Sequence, residues 1–184
     1  MRQEQKKYTE IKISEKSEVI NVSADALWKI VREFQDVGNW FSSIDYVTAS
    51  GESKFKGASY SERTCHVNLK GYSKVHEKLT LFDDSKRELA YELIEGAPGF
   101  LVFAGNHWTV SEAGPNQSLL SMNVTMRVKK FMGNLFGGQI RKTVLKNLPV
   151  ALSELKVFAE TGGPSEAKKA RMEVLARKKR KKAA

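Results

Sequence analysis

The feature that most constrains this chain is a change in its hydrophobic period. Between Ile44 and Val128, stretches of alternating apolar and polar residues are separated by turn residues; beyond Ile140 a single apolar stripe recurs every three or four residues. The alternating stretches are Ile44 to Ala49, Ser59 to Leu69, Ser73 to Phe82, Glu88 to Ile94, Phe100 to Ser111 and Ser118 to Val128. Gly51, Gly57, Lys70-Gly71, Asp83-Asp84, Ala97-Pro98-Gly99 and Gly114-Pro115-Asn116 interrupt them. Connections this short join antiparallel neighbours, so the pattern predicts an α+β fold with an antiparallel meander.

The flanking segments complete the architecture. Alternation between Glu10 and Val22 adds a first strand, for about seven in all. Ser23 then caps a helix of about three turns, with Leu27, Ile30, Val31 and Phe34 at helical spacing and Trp28 beside them. Asp36, Gly38 and Asn39 break it, and a second short helix is expected over Val37 to Phe41. The stripe Ile140, Val144, Leu148, Leu152 and Leu155 predicts a long C-terminal helix from about Gln139 to Glu160. Gly137-Gly138 loosens its start, Pro149 kinks it and Gly162-Gly163-Pro164 ends it.

The net charge of +10 is unevenly spread. Residues 162–184 hold nine Lys and Arg against Glu166 and Glu173, which is +7, leaving +3 for the rest. The chain thus divides into an N-terminal extension (1–9), a nearly neutral domain (10–161) and a basic tail (162–184). Ser165 can cap a short tail helix, but with little apolar surface beyond Met172, Val174 and Leu175 the expectation is a mobile or frayed segment. If those three residues form an edge beside the charges, the tail suits an anionic membrane; its Lys and Arg run otherwise suits RNA. No run approaches the roughly 20 apolar residues of a membrane-spanning helix, and the first residues lack the apolar core of a secretory signal. A cytoplasmic location is the resulting expectation. The lone Cys65 excludes an internal disulfide and a cysteine-based zinc site.

Particular residues reinforce this order of elements. Ile20-Asn21-Val22-Ser23-Ala24-Asp25-Ala26-Leu27-Trp28 is followed by a helix and the aromatic step Asn39-Trp40-Phe41; Gly57, Arg63, Gly71, Glu77, Asp83 or Asp84, Arg87 to Glu92 and Pro98 continue the pattern. Over about residues 10 to 160 it resembles the SRPBCC superfamily, which includes START lipid-binding domains, the major birch pollen allergen and polyketide cyclases, and it is most similar to the polyketide cyclase/dehydrase-like branch. The resemblance implies a helix-grip fold: a curved seven-stranded sheet wrapped on the long helix around a cavity that often holds a hydrophobic or amphipathic ligand.

Strand parity identifies the side chains that face such a cavity. The more apolar faces carry Val75, Leu79, Val102, Trp108, Met122, Val124 and Met126, with Val144 and Leu148 opposite on the long helix. Four polar groups intrude: Arg63, Glu77, Tyr91 and Asn106. Either they orient the carbonyl or hydroxyl groups of a ligand, or they form an internal network that closes a filled core. A three-residue loop at Lys70 to Tyr72 puts Arg63 diagonal to Glu77; a two-residue loop at Lys70-Gly71 places them on opposite faces. Trp40, Phe41, Phe131 and Phe136 are candidates for a gate.

No metal site is predicted, because His66, His76 and His107 form no short-spaced cluster with carboxylates. The chain also lacks GxSxG and the lysine of a phosphate loop, and no cofactor is expected. The functional expectation is binding or transport of a lipid, polyketide or similar molecule, with cyclase or dehydratase chemistry and tail-mediated association with RNA or membrane as alternatives.

Overall fold

The computed structural model describes residues 7–69 and 72–183. Strand β1 (Tyr8–Lys16) leads to helix α1 (Ala24–Val31), a 3-10 turn (Phe34–Asp36) and helix α2 (Val37–Trp40). Six strands follow: β2 (Ile44–Glu52), β3 (Tyr60–Leu69), β4 (Tyr72–Asp83), β5 (Glu88–Glu95), β6 (Leu101–Gly114) and β7 (Gln117–Lys129). Helices α3 (Lys130–Thr161) and α4 (Glu166–Ala183) complete the chain. The sheet order is β1-β7-β6-β5-β4-β3-β2, so the meander runs back until β7 meets β1, and α1 and α2 cross from one edge of the sheet to the other. Most of the expected N-terminal extension, residues 1–6, lies outside the described residues, as does the Lys70-Gly71 turn.

Each local element has a sequence cause. Ser23 caps α1 by accepting from the Ala26 N–H at 3.2 Å, and Ala24, Leu27, Trp28 and Val31 bury one face. The helix is shorter than its apolar spacing predicts. It breaks at Glu33, and Phe34 is buried within the 3-10 turn, where its carbonyl accepts from Arg63. A side chain on a distant strand thus uses a carbonyl that a longer helix would have claimed. Trp28 donates to Asp84 at 2.8 Å and Arg32 pairs with the same carboxylate at 3.1 Å, fastening α1 to the β4–β5 turn.

Helix α3 begins at Lys130, directly after β7, and the glycines expected to delay it lie within it. Gly133 is buried against Thr9 of β1, where only a residue without Cβ fits. Residues 131–136 are therefore helical rather than the loop the gate hypothesis assumes. Gly162 ends the helix in the left-handed conformation, its N–H returning to the Phe158 carbonyl at 2.9 Å.

The core has two parts. The larger joins Leu27, Trp28, Val31, Phe34 and Trp40 to Cys65, Leu79, Leu89, Trp108 and Met122, and to Leu152 and Leu155 of α3. The smaller joins Ile11, Ile13, Met126 and Val128 to Ile140, Val144 and Leu148.

Helix α4 is fastened chiefly by polar groups. Ser165 caps it at the Lys168 N–H (3.2 Å) and donates to Glu154 of α3 at 3.1 Å. Lys168, 1% exposed, donates its ammonium to the Ile44 carbonyl at 2.6 Å, and Arg171 grips Asp45 through two 2.7 Å bonds. Hydrophobic counting underestimates this attachment because the anchors are a lysine and an arginine.

The contact at Gly133 yields a test. A Cβ there would lie 2.5 Å from both Cβ and Oγ1 of Thr9, so Gly133→Ala should cost about 1–3 kcal/mol in urea denaturation. Gly138 has open space around it, and Gly138→Ala should instead stabilise by up to about 1 kcal/mol. Equal effects of the two substitutions would refute the proposed α3–β1 packing.

Candidate functional site

Register brings the polar residues together. Leu69 pairs with Tyr72 at the hairpin end, a pairing that on its own would send Arg63 and Glu77 to opposite faces. The register then shifts between His66 and Leu69, and Arg63 lies directly opposite Glu77. An irregularity in β3 thus restores the parity that the short connection would have broken. On the neighbouring strands Tyr91 stands opposite Asn106, completing the group of four.

Arg63 is 2% exposed, yet its charge is well compensated. Nε donates to Glu77 Oε2 at 2.6 Å and Nη1 donates to the Phe34 carbonyl. The guanidinium also lies against two neighbouring rings, 3.8 Å from the Phe34 centroid and 4.8 Å from that of Tyr91. Burial works against the cation, but Glu77, with Cys65 and Tyr91 adding to it, outweighs burial and holds the Arg63 pKa above its ordinary value. The Cys65 thiol donates to the same Glu77 oxygen at 3.5 Å; burial, opposed in part by Arg63, pushes its pKa up to about 12. Burial raises the Tyr91 phenol as well, with Glu77 adding to the effect, and this keeps it protonated.

These groups line one end of a cavity of about 330 Å³ between the concave sheet face and α3. Arg63, Glu77, Tyr91 and Asn106 all border it, as do Val75, Trp108, Met122, Val144 and Leu148. Asn106 donates to the Tyr91 hydroxyl at 3.4 Å, while its Oδ1 and the Trp108 Nε1 are buried with no partner among the described residues. A buried acceptor and a buried donor thus stand unused on the same strand, two residues apart and on one face.

Several residues assigned to the site by parity lie elsewhere. Leu79 is packed in the larger core, and Val124 and Met126 belong to the smaller one; none borders the cavity. Val102 is 46% exposed, because a bulge between Leu101 and Phe103 takes it out of the alternation. Of the gate candidates, Trp40 and Phe41 border the cavity. Phe131 is 77% exposed and, like Phe136, lies on an outer part of α3 away from the lining.

Sequence reasoning missed Thr143 and Asn147, which border the cavity beside Val144 and Leu148. Their i, i+4 spacing was available as a signal. The Asn147 side chain donates to the Thr143 carbonyl at 2.9 Å, so it is partly satisfied within the helix. The histidines lie outside the lining: His76 meets Glu62 at 3.1 Å, His107 meets Glu88 at 3.0 Å and His66 stacks on Tyr46. Among the described residues no group of three or more His, Cys, Asp or Glu could hold a metal ion. Nor is any helix among them long and apolar enough to cross a membrane.

A curved antiparallel sheet closed by a long helix over an internal cavity defines a helix-grip domain. The chain belongs to the polyketide cyclase/dehydrase and lipid transport family, whose profile matches residues 12–160. Its fold is similar to that of the ZhuI aromatase/cyclase of Streptomyces sp. R1128, with a TM-score of 0.62 and 15% identity over 85% of this chain and 100% of the other. It is also similar to norcoclaurine synthase of Thalictrum flavum (TM-score 0.61, 16% identity, 81% and 94% covered). A START superfamily protein of Mycobacterium smegmatis gives a TM-score of 0.56 at 17% identity, with 78% and 98% covered. No protein of curated function matches the sequence.

The burial of Cys65 makes a chemical prediction. Raising its pKa from 9.0 to about 12 lowers the thiolate fraction about a thousandfold, so alkylation of the native protein at pH 8 should be slower than after unfolding by at least that factor. The raised pKa also links stability to pH. The native thiol keeps its proton while the unfolded chain releases it above about pH 9, so this contribution is complete below that value and is lost as pH rises toward about 12. Rapid native alkylation at pH 8 would contradict the burial.

Proposed function

We propose that the cavity binds a small amphipathic molecule, of about two fused or linked rings, bearing a hydroxyl or carbonyl group. One observation carries this reading: Asn106 Oδ1 and Trp108 Nε1 are buried without partners among the described residues, in the lining of an otherwise largely apolar cavity. A hydroxyl can donate to the first and a carbonyl or hydroxyl oxygen can accept from the second. A buried group left unpaired costs about 1–3 kcal/mol, which a ligand reaching it recovers.

The volume sets the ligand size. About 330 Å³ lies near the lower end of the roughly 300–1,000 Å³ of small-molecule pockets, and an apolar cavity of about 150 Å³ already admits benzene. A two-ring compound therefore fits better than a two-chain lipid. Aromatic walls from Trp40, Tyr91 and Trp108, with Tyr91 and Trp108 edge to face at 5.6 Å, favour a flat ligand. Membership of a family described by cyclase, dehydrase and lipid transport functions supports a hydrophobic ligand.

Binding fits the geometry better than turnover does. Glu77 is the one carboxylate bordering the cavity, and its Oε2 is occupied by Arg63 and Cys65. The protonated Tyr91 is suited to donate a hydrogen bond to a ligand.

Displacement of a fluorescent naphthalene-sulfonate dye tests the reading. 2-Naphthol should displace the dye at about tenfold lower concentration than naphthalene, the value of one hydrogen bond of about 1.4 kcal/mol. Asn106→Leu should abolish that difference and leave naphthalene unaffected. Failure of both compounds to displace the dye would sink the proposal.

A further inference from the structure

We propose that α4 and the groove it forms with edge strand β2 are a binding site for single-stranded RNA. The family profile ends at residue 160, so this helix lies outside the part of the chain that the family defines. It is nevertheless held in a set position by Lys168 on the Ile44 carbonyl, Arg171 on Asp45 and Ser165 on Glu154, with Lys168 and Glu154 buried.

Three observations point to this partner. The first is charge: Arg177, Lys178, Lys179, Arg180, Lys181 and Lys182 form an unbroken run with no acidic residue after Glu173. At 1.5 Å per residue the run begins about 9 Å beyond Arg171, past the anchored turns. Such a density of cations matches a phosphate backbone.

The second is a groove of about 620 Å³ between α4 and β2, bordered by Tyr46, Tyr60, Met172 and Lys168. Tyr46 is 53% exposed, with one ring face stacked on His66 at 3.9 Å and the rest open; Tyr60 is also exposed. Exposed rings are the elements on which unpaired bases stack, and although Asp36 and Asp45 also border the groove, Asp45 is paired with Arg171 and the exposed cations begin further along the same helix. Lys168, Met172, Leu175 and Lys179 follow one another at i, i+4, i+7 and i+11, so a single stripe of α4 leads from the groove to the cationic run.

The third excludes a bilayer. Met172, Val174 and Leu175 do not share one edge: at 100° per residue Val174 lies about 160° from Met172, and the stripe that Met172 shares with Leu175 leads into the groove. Five successive exposed cations, Arg177 to Lys181, occupy every side of the helix. A helix whose one short apolar stripe leads into its own groove presents little to a membrane interface. RNA is favoured over DNA because Asp36 and Asn39 border the groove, where a 2′-hydroxyl has an acceptor to meet.

Fluorescence anisotropy with a labelled 12-nucleotide single-stranded RNA tests the proposal on the full chain. Binding should appear at 50 mM salt and weaken roughly 20-fold by 200 mM if three phosphates are contacted. The double variant Lys178→Gln/Lys179→Gln should reduce the log–log salt slope by about 1.4, at about 0.7 per lost contact. Tyr46→Ala should weaken binding by about fivefold or more with the slope unchanged. Dye binding in the internal cavity should stay intact in each variant, confirming that it folds. The proposal is overturned by absence of RNA binding at 50 mM salt, by unchanged binding in both variants, or by equal affinity for DNA of the same sequence. It is also overturned if phosphatidylserine vesicles bind and RNA fails to compete.

Discussion

The buried pair of Arg63 and Glu77 is the interaction on which the rest of this structure depends. An isolated guanidinium at 2% exposure would cost several kcal/mol, and every neighbour is arranged to offset that cost. Glu77 supplies the opposite charge, the Phe34 carbonyl accepts a second donor, and the Phe34 and Tyr91 rings both lie against the cation. Through these partners one side chain joins β3 to β4, to β5 and to the 3-10 turn after α1. The short α1, the register shift in β3 and the polar end of the cavity are all consistent with meeting the needs of that cation.

The element order was legible because it depends on period. Alternation every two residues and a stripe every three or four are properties of the local chain, and turn residues mark where one gives way to the other. Positions that depend on a single extra residue were not. A bulge exposes Val102, and another irregularity in β3 decides that Arg63 meets Glu77; neither leaves a mark in composition. The early start of α3 was hidden for a related reason. Gly133, Gly137 and Gly138 signal a loose segment when read locally, but Gly133 is required by the closeness of Thr9, a residue more than a hundred positions earlier.

The four polar anchors were legible as a set, since each interrupts an apolar parity, but their division of labour was not. Arg63 is committed to the protein on every side. Asn106 and Trp108 retain unused hydrogen-bonding capacity. Parity alone treats a polar and an apolar residue on a concave face alike as lining, so Trp108 was marked as apolar surface when its indole N–H is among the features that distinguish the site. Leu79, Val124 and Met126 show the converse: they face inward, but the core is filled around them, and only packing separates a core position from a cavity position.

The same distinction between local pattern and tertiary partner explains α4. Read alone, the tail has too little apolar surface to dock, and for a helix held by hydrophobic contacts that would be correct. Here Lys168 is buried against a backbone carbonyl at the start of β2, where an edge strand has acceptors to spare, and Arg171 closes on Asp45 in the next position. Burial tends to lower the Lys168 pKa, while Asp45 and Glu154 oppose it and favour the charged form. Directional bonds of this kind set the helix in one orientation, which weak apolar contact would not do. They act within its first two turns, so the later cations remain free of the domain while their starting point is fixed beside the exposed rings of Tyr46 and Tyr60.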